Sequence, residues 1–340
     1  YTRLKQKESH IYLGAAAVTI AAFLISLYVG KYNLTLGEIF QICTGAVHEG
    51  MARNVFFTLR LPRTIMALLA GFGLSMAGAV YQNIFKNPLA APDLIGAANG
   101  AAAGAAFSIV CLHGGTILAA GSSFVGGITA VAAVVVLAGF VRQRTSAAYV
   151  LAGIAVKAAA EAFVMAMKYF ADPDKQLSAI DYWAMGSFAN ITMDKLRVSF
   201  PVFLAGFIGI ILLRWQITLL SLGDDEARML GMRVNLVRCI VLGFSTLLVA
   251  STVCVTGIIS FIGLVAPHIA RMLLKKSDFG TCILSGLTGA SIMMAADCFA
   301  RSMAGSEVPI SILTSVCGVP LLVYLLCKRG DWNGNGSVRD

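Results

Sequence analysis

Charge is what this 340-residue sequence has least of: Asp, Glu, Lys and Arg make up 13% of it, against 58% apolar residues. A water-soluble domain carries about a quarter charged residues to cover its surface. At half that share a soluble globular fold is excluded, whereas a lipid-facing surface needs no charge. Period-two alternation is also missing, which excludes a membrane β-barrel with its spans of about ten alternating residues. The eight cysteines form no C-x-x-C pair, and Cys239, Cys254, Cys282, Cys298 and Cys317 sit inside apolar runs as small hydrophobes. They indicate neither disulfides nor zinc. His10, His48, His113 and His268 are too scattered for a local metal motif. Catalytic signatures are lacking too. "GSSFVGG" (121–127) has the glycine spacing of a P-loop but not the Lys-Ser/Thr that meets phosphate and magnesium. Neither a G-x-S-x-G elbow nor an H-E-x-x-H helix is present. The chain therefore reads as a non-enzyme with no cofactor or metal of its own. Its net charge of +9 fits basic membrane loops rather than nucleic acid.

What is present is a series of ten apolar runs, each near the roughly 20 residues that cross a bilayer. They cover about 11–30, 61–83, 94–112, 116–140, 147–170, 198–216, 235–255, 257–275, 279–300 and 307–327. The expected fold is all-α, a single polytopic transmembrane domain over residues 1–340. The first run is long for a signal-peptide core and lacks a small-residue cleavage site, so it reads as a retained span. Lys86-Asn87-Pro88 and Ala91-Pro92-Asp93 end the second span, because proline cannot continue a helix. With ten spans and an inside N-terminus, sixteen basic residues fall inside and nine outside, as the positive-inside rule asks. Arg142, Arg144 and Arg339 count as inside in that reading, and Lys31, Arg60, Arg63 and Arg301 as outside.

Small residues recur at helical spacing. Gly96, Gly100 and Gly104 form a ladder in the third span, and Gly71, Ser75 and Gly78 lie close together in the second. In lipid, close backbone approach at small residues is what packs helices. Internal packing is the expected use here, with a dimer face as the alternative.

Four features depart from that apolar background. Lys157 and Glu161 stand at i, i+4 in the fifth span, where charge is expensive. They read either as a pair lining a substrate passage or as a structural pair between helices. Pro267-His268 bends the eighth span, and its imidazole suits a structural role, with a haem or metal contact as the alternative if it faces a cavity. Asp297 suits a hydrogen bond to a neighbouring helix. Arg60 and Arg63 in "LRLPRT", with Arg301, place three cations at the outer ends of spans, suited to lipid headgroups or an acidic partner. Finally "SLGDDEARMLGMR" (221–233) puts Asp224, Asp225 and Glu226 at a helix start, where the macrodipole favours acids, and Gly231 at its end. Such a short helix is unstable alone and must be held by its own protein or by a partner.

Several segments together resemble one family. "LRLPRTIMALLAGFGLSMAGAVYQNIFKNPLAAPDLIGAANGAAAGA" (59–105), "YWAMGSF" (182–188), "LGDDEARMLGMRV" (222–234), "GIISFIGLVAPHIARML" (257–273) and "SEVPISILTSVCGVPLLVYLLCKR" (306–329) resemble, in order, the landmarks of the iron-siderophore/haem/cobalamin permeases. The resemblance implies a type II ABC importer permease fold with ten helices per subunit. It implies a homodimer in the bacterial inner membrane with both termini cytoplasmic, and two cytoplasmic ATPase subunits carrying ATP and Mg. An extracytoplasmic binding protein would deliver a siderophore, haem or corrinoid. It assigns Arg60, Arg63 and Arg301 to binding-protein docking, and Gly223, Asp224, Asp225, Glu226, Ala227, Arg228, Met229, Leu230 and Gly231 to ATPase coupling. Lys157 and Glu161 fall beside the passage, where this sequence departs from the family's small apolar residues. The rival readings are an ion- or proton-coupled secondary transporter using Lys157/Glu161, and a membrane scaffold without transport.

Overall fold

The computed structural model describes residues 2–30, 32, 34–45, 50–141, 146–303 and 307–334. Lys31, Arg142, Arg144 and Arg339, which enter the charge count above, and His48 lie outside them. The elements in order are α1 (Thr2–Tyr28), α2 (Leu36–Cys43), α3 (Met51–Asn54), a π-helical turn (Val55–Arg60), α4 (Leu61–Phe85), a 3-10 turn (Pro92–Ile95), α5 (Ala97–Cys111), α6 (Thr116–Phe140), α7 (Ser146–Phe170) and α8 (Gln176–Met185). They continue with α9 (Met193–Leu212), α10 (Arg214–Leu222), α11 (Asp224–Met229), α12 (Val234–Thr256), α13 (Ile262–Leu274), α14 (Phe279–Ser302) and α15 (Ile310–Gly334). Seven helical stretches among the described residues are long and apolar enough to cross a membrane. Three shorter apolar helices, Ala97–Cys111, Ile262–Leu274 and Ile310–Tyr324, accompany them.

Each of the ten apolar runs contains a helix, but several boundaries move. The run 257–275 starts late because Gly257 (φ 76°) and Phe261 (φ 66°) turn the chain before α13. The run 198–216 is interrupted at Leu213, so α9 begins earlier than expected and α10 follows as a separate helix. Pro92 opens a 3-10 turn, and α5 begins only after Gly96 (φ 79°). The helices α2 and α8 fill stretches that apolar patterning leaves blank. In α2, Thr35 and Glu38 form a reciprocal capping box.

Glycine decides which helices touch. A Cβ on Gly78 would lie 1.8 Å from the Gly263 carbonyl oxygen, and one on Gly71 2.4 Å from that of Gly289. These contacts seat α4 directly on α13 and α14. Gly100 and Gly104 press in the same way on Gly126 and Ser122 of α6. The ladder is therefore an internal seam, while Gly96 faces α7 instead. The result is a core around α4, whose span is 83% buried, and a periphery that includes α7, at 11%.

Candidate functional site

Helix α11 is built from the residues that sequence patterning singles out. Asp224, Asp225 and Glu226 occupy its first turn, and Arg228 its last. The end is a Schellman motif. Gly231 (φ 81°) donates its N–H to the Arg228 carbonyl at 2.9 Å, and Met232 donates to Ala227 at 3.0 Å. Ala227 is fully buried, whereas Met229 is 87% exposed and Leu230 63%. Arg228 pairs with Asp225 at 3.3 Å on the open face. Two anchors hold the helix to the core. Lys86, at the end of α4, donates to the Leu222 carbonyl, and Arg238 of α12 pairs with Asp224 at 2.5 Å. A six-residue helix is thus fixed by the fold while its apolar and charged outer face stays uncovered.

Arg60, Arg63 and Arg301 do converge, at the opposite end of α4, about 35 Å away along that helix. Their exposure differs from that of free docking charges. Arg60 is 4% exposed and donates to the carbonyls of Leu27 (2.8 Å), Tyr28 (2.5 Å) and Tyr32. Arg301, equally buried, donates to Ser26 O at 2.8 Å and pairs with Asp297 at 3.3 Å. Arg63 pairs with Asp297 at 2.8 Å and with Glu307 at 2.9 Å. Asp297 is fully buried between two guanidiniums, and Glu307 retains partial exposure. The arginines tie α1, α4 and α14 together and reach the segment before α15. The physical reason is that a buried guanidinium needs acceptors, and the end of α1 and Asp297 supply them.

On α7, Lys157 Nζ stands 3.7 Å from Glu161 Oε1, and Asn99 of α5 donates to the same carboxylate at 3.0 Å. Both charges are partly exposed. Beside them, Val156, Ala160 and Phe163 wall an apolar groove of about 780 Å³ shared with α5 and α6. Arg238, Glu307 and Asn99 are residues that sequence reading passes over as site residues, and Lys86 enters it only through the break that ends the second span. Arg238 alone carried a signal, as a cation in the first turns of an otherwise apolar run.

A model of the FecCD transport family matches residues 18–328. The chain belongs to the FecCD transport family. The molybdate import system permease protein MolB of Haemophilus influenzae is 35% identical over 336 residues, covering 95% of this chain and 97% of that protein. The hemin transport system permease protein HmuU of Yersinia pestis is 34% identical over 312 residues, covering 90% and 93%. A metal-chelate type ABC transporter solved in an inward-facing conformation superposes with a TM-score of 0.84 at 33% identity, covering 94% and 99%. This FecCD chain therefore has the fold of an importer permease and is the transmembrane permease subunit of an ABC importer.

Proposed function

We propose that this chain, paired with a second copy of itself, forms the passage through which a bulky metal chelate enters the cytoplasm. The cargo class is an iron siderophore, haem or corrinoid. ATP and Mg are bound and used on two ATPase subunits seated against α11, with both termini on that same cytoplasmic side. A substrate-binding protein delivers cargo at the arginine end. Of the three arginines there, Arg63 is the one a partner's carboxylate reaches, by displacing Glu307. The homodimer reading rests on α7. Its charged pair faces outward from one copy, and such a pair in contact with hydrocarbon costs several kcal/mol. A second copy places the pair on a watered passage instead.

The observation that carries the proposal is α11: fixed from beneath by Arg238 and Lys86, with Met229 and Leu230 left open above. The test is the exchange Glu226→Lys with Arg228→Glu. Both side chains are exposed, with the Glu226 carboxylate curled over Gly223 beside Lys86, so folding is retained and the permease's own melting temperature stays within about 2 °C of the parent. Recovery of the ATPase subunit with the purified permease falls at least tenfold. Undiminished recovery of the ATPase would refute the assignment.

A further inference from the structure

Arg238 is the largest fully buried side chain among the described residues and a cation in an apolar helix. Among the described residues it pairs with one carboxylate, that of Asp224, the first residue of α11, at 2.5 Å through Nη2. Nε and Nη1 make no hydrogen bond. The contact is therefore a single-point pivot, not the two-point clamp of a bidentate pair. On another side the guanidinium carbon lies 5.5 Å from the ring centroid of Tyr149, which is 1% exposed. Tyr149 belongs to the first turn of α7, and its hydroxyl lies 3.7 Å from the Cys239 sulfur. One buried cation thus touches both the partner-facing helix and the inner end of the helix that carries Lys157 and Glu161. Among the described elements, α11 packs chiefly on α10 and α12, so this contact is a direct route from α11 to α7.

Energetics make the route stiff. Removing a partner from a buried charge costs far more than an exposed pair contributes. Asp224 therefore cannot leave Arg238 without replacement, and a shift of α11 draws the guanidinium along. The guanidinium is held over the Tyr149 face by cation–π attraction and by close packing, so α7 follows.

We propose that Arg238 is a positioning residue that transmits displacement of α11 to α7 through Tyr149. This rests on the reading of α11 as the ATPase seat, and the experiment separates the two. The complex of permease and ATPase subunits in lipid nanodiscs is followed by hydrogen–deuterium exchange, nucleotide-free and with ATP, Mg and vanadate. In the parent, peptides covering 221–233 and 146–157 both change exchange on nucleotide binding. In Arg238→Met the change persists at 221–233 and is lost at 146–157. Arg238→Lys retains at least half of it, because a cation still reaches Asp224 and the ring. Tyr149→Phe keeps the response, and Tyr149→Leu reduces it at least twofold. A merely structural role would instead raise exchange of 146–157 equally in both states, with the nucleotide-driven difference intact. Full response of 146–157 in Arg238→Met overturns the proposal. If Arg238→Met does not assemble, Tyr149→Leu decides, and a full response there overturns it. A parent complex that shows no response at 221–233 counts against the ATPase seat itself.

Discussion

At one end of α4, three arginines and two carboxylates are folded into the protein; at the other, α11 offers its charged and apolar residues to the outside. Arg60 and Arg301 are each 4% exposed, whereas Met229 is 87% exposed. Sequence composition treats these ends alike, as charge beside apolar spans. Their physics differs. The arginine end binds helices of one chain to each other through buried pairs, and only Arg63 and Glu307 connect it to the surface. The α11 end binds to its own chain from beneath, through Asp224, the short Ala227 side chain and the Lys86 contact to Leu222, and leaves a face that folding does not use. An interface for a permanent partner is what such a face fits.

The comparison can be broken most forcefully at Asp297. Replacing it with Asn leaves Arg63 with Glu307 as its remaining carboxylate and takes from Arg301 the carboxylate it pairs with. The expected loss is about 3–5 kcal/mol, read as a collapse of folded yield and melting temperature in detergent. Asp225→Asn on α11, where the carboxylate is open to solvent, should stay within about 0.5 kcal/mol. Similar losses for the two would erase the distinction between the ends.

A smaller effect sharpens the α11 side. Gly231 holds φ 81° to close the Schellman turn, a backbone region that costs a residue with a Cβ about 1–2 kcal/mol. Gly231→Ala should loosen Met229 and Leu230 and weaken ATPase capture roughly 5- to 30-fold, with the permease itself still folded. Unaltered capture would mean that the shape of α11 does not matter.

The smallest effect concerns a half-buried charge knot on the same side as α11, where Lys276 pairs with Glu8 and Asp278, each at 2.9 Å. Burial pushes the Asp278 carboxyl upward, but hydrogen bonds from Lys276 and the Thr281 N–H outweigh it and hold its pKa below the usual carboxylate value. A depressed carboxylate stabilises the fold above its ordinary pKa, and that contribution fades as pH falls through the lower folded value. The stability difference between parent and Asp278→Asn should be under about 1 kcal/mol at pH 7 and shrink below about pH 4. A difference independent of pH would contradict the pairing.

Much of this was legible from residue order. Apolar runs locate the helices that form the bundle, and Lys86-Asn87-Pro88 ends α4 at the left-handed Lys86 (φ 48°). The acidic first turn and Gly231 mark α11, and the family resemblance agrees with the family match. What order does not show is rotation about a helix axis. Arg60 sits at the end of a π-helical turn, whose wider i→i+5 register alters which face a residue occupies, and no residue spacing announces it. Short helices such as α2 and α8 escape because 8 to 10 residues give too few repeats for a period. The Thr35–Glu38 box was the readable signal for α2. Partners far apart in sequence, such as Arg63 with Glu307 or Asn99 with Glu161, come from folding alone.

The central claim is that α11, and not the arginine end, is the face the ATPase subunit covers. Met229 supports a direct measurement: its oxidation rate under hydroxyl-radical footprinting, in the permease alone and in complex with the ATPase subunits. The account predicts at least a tenfold slowing at Met229 on assembly, with no change at Met303, just past the end of α14 at the arginine end. Equal Met229 oxidation in the two samples, with the ATPase demonstrably bound, would contradict it.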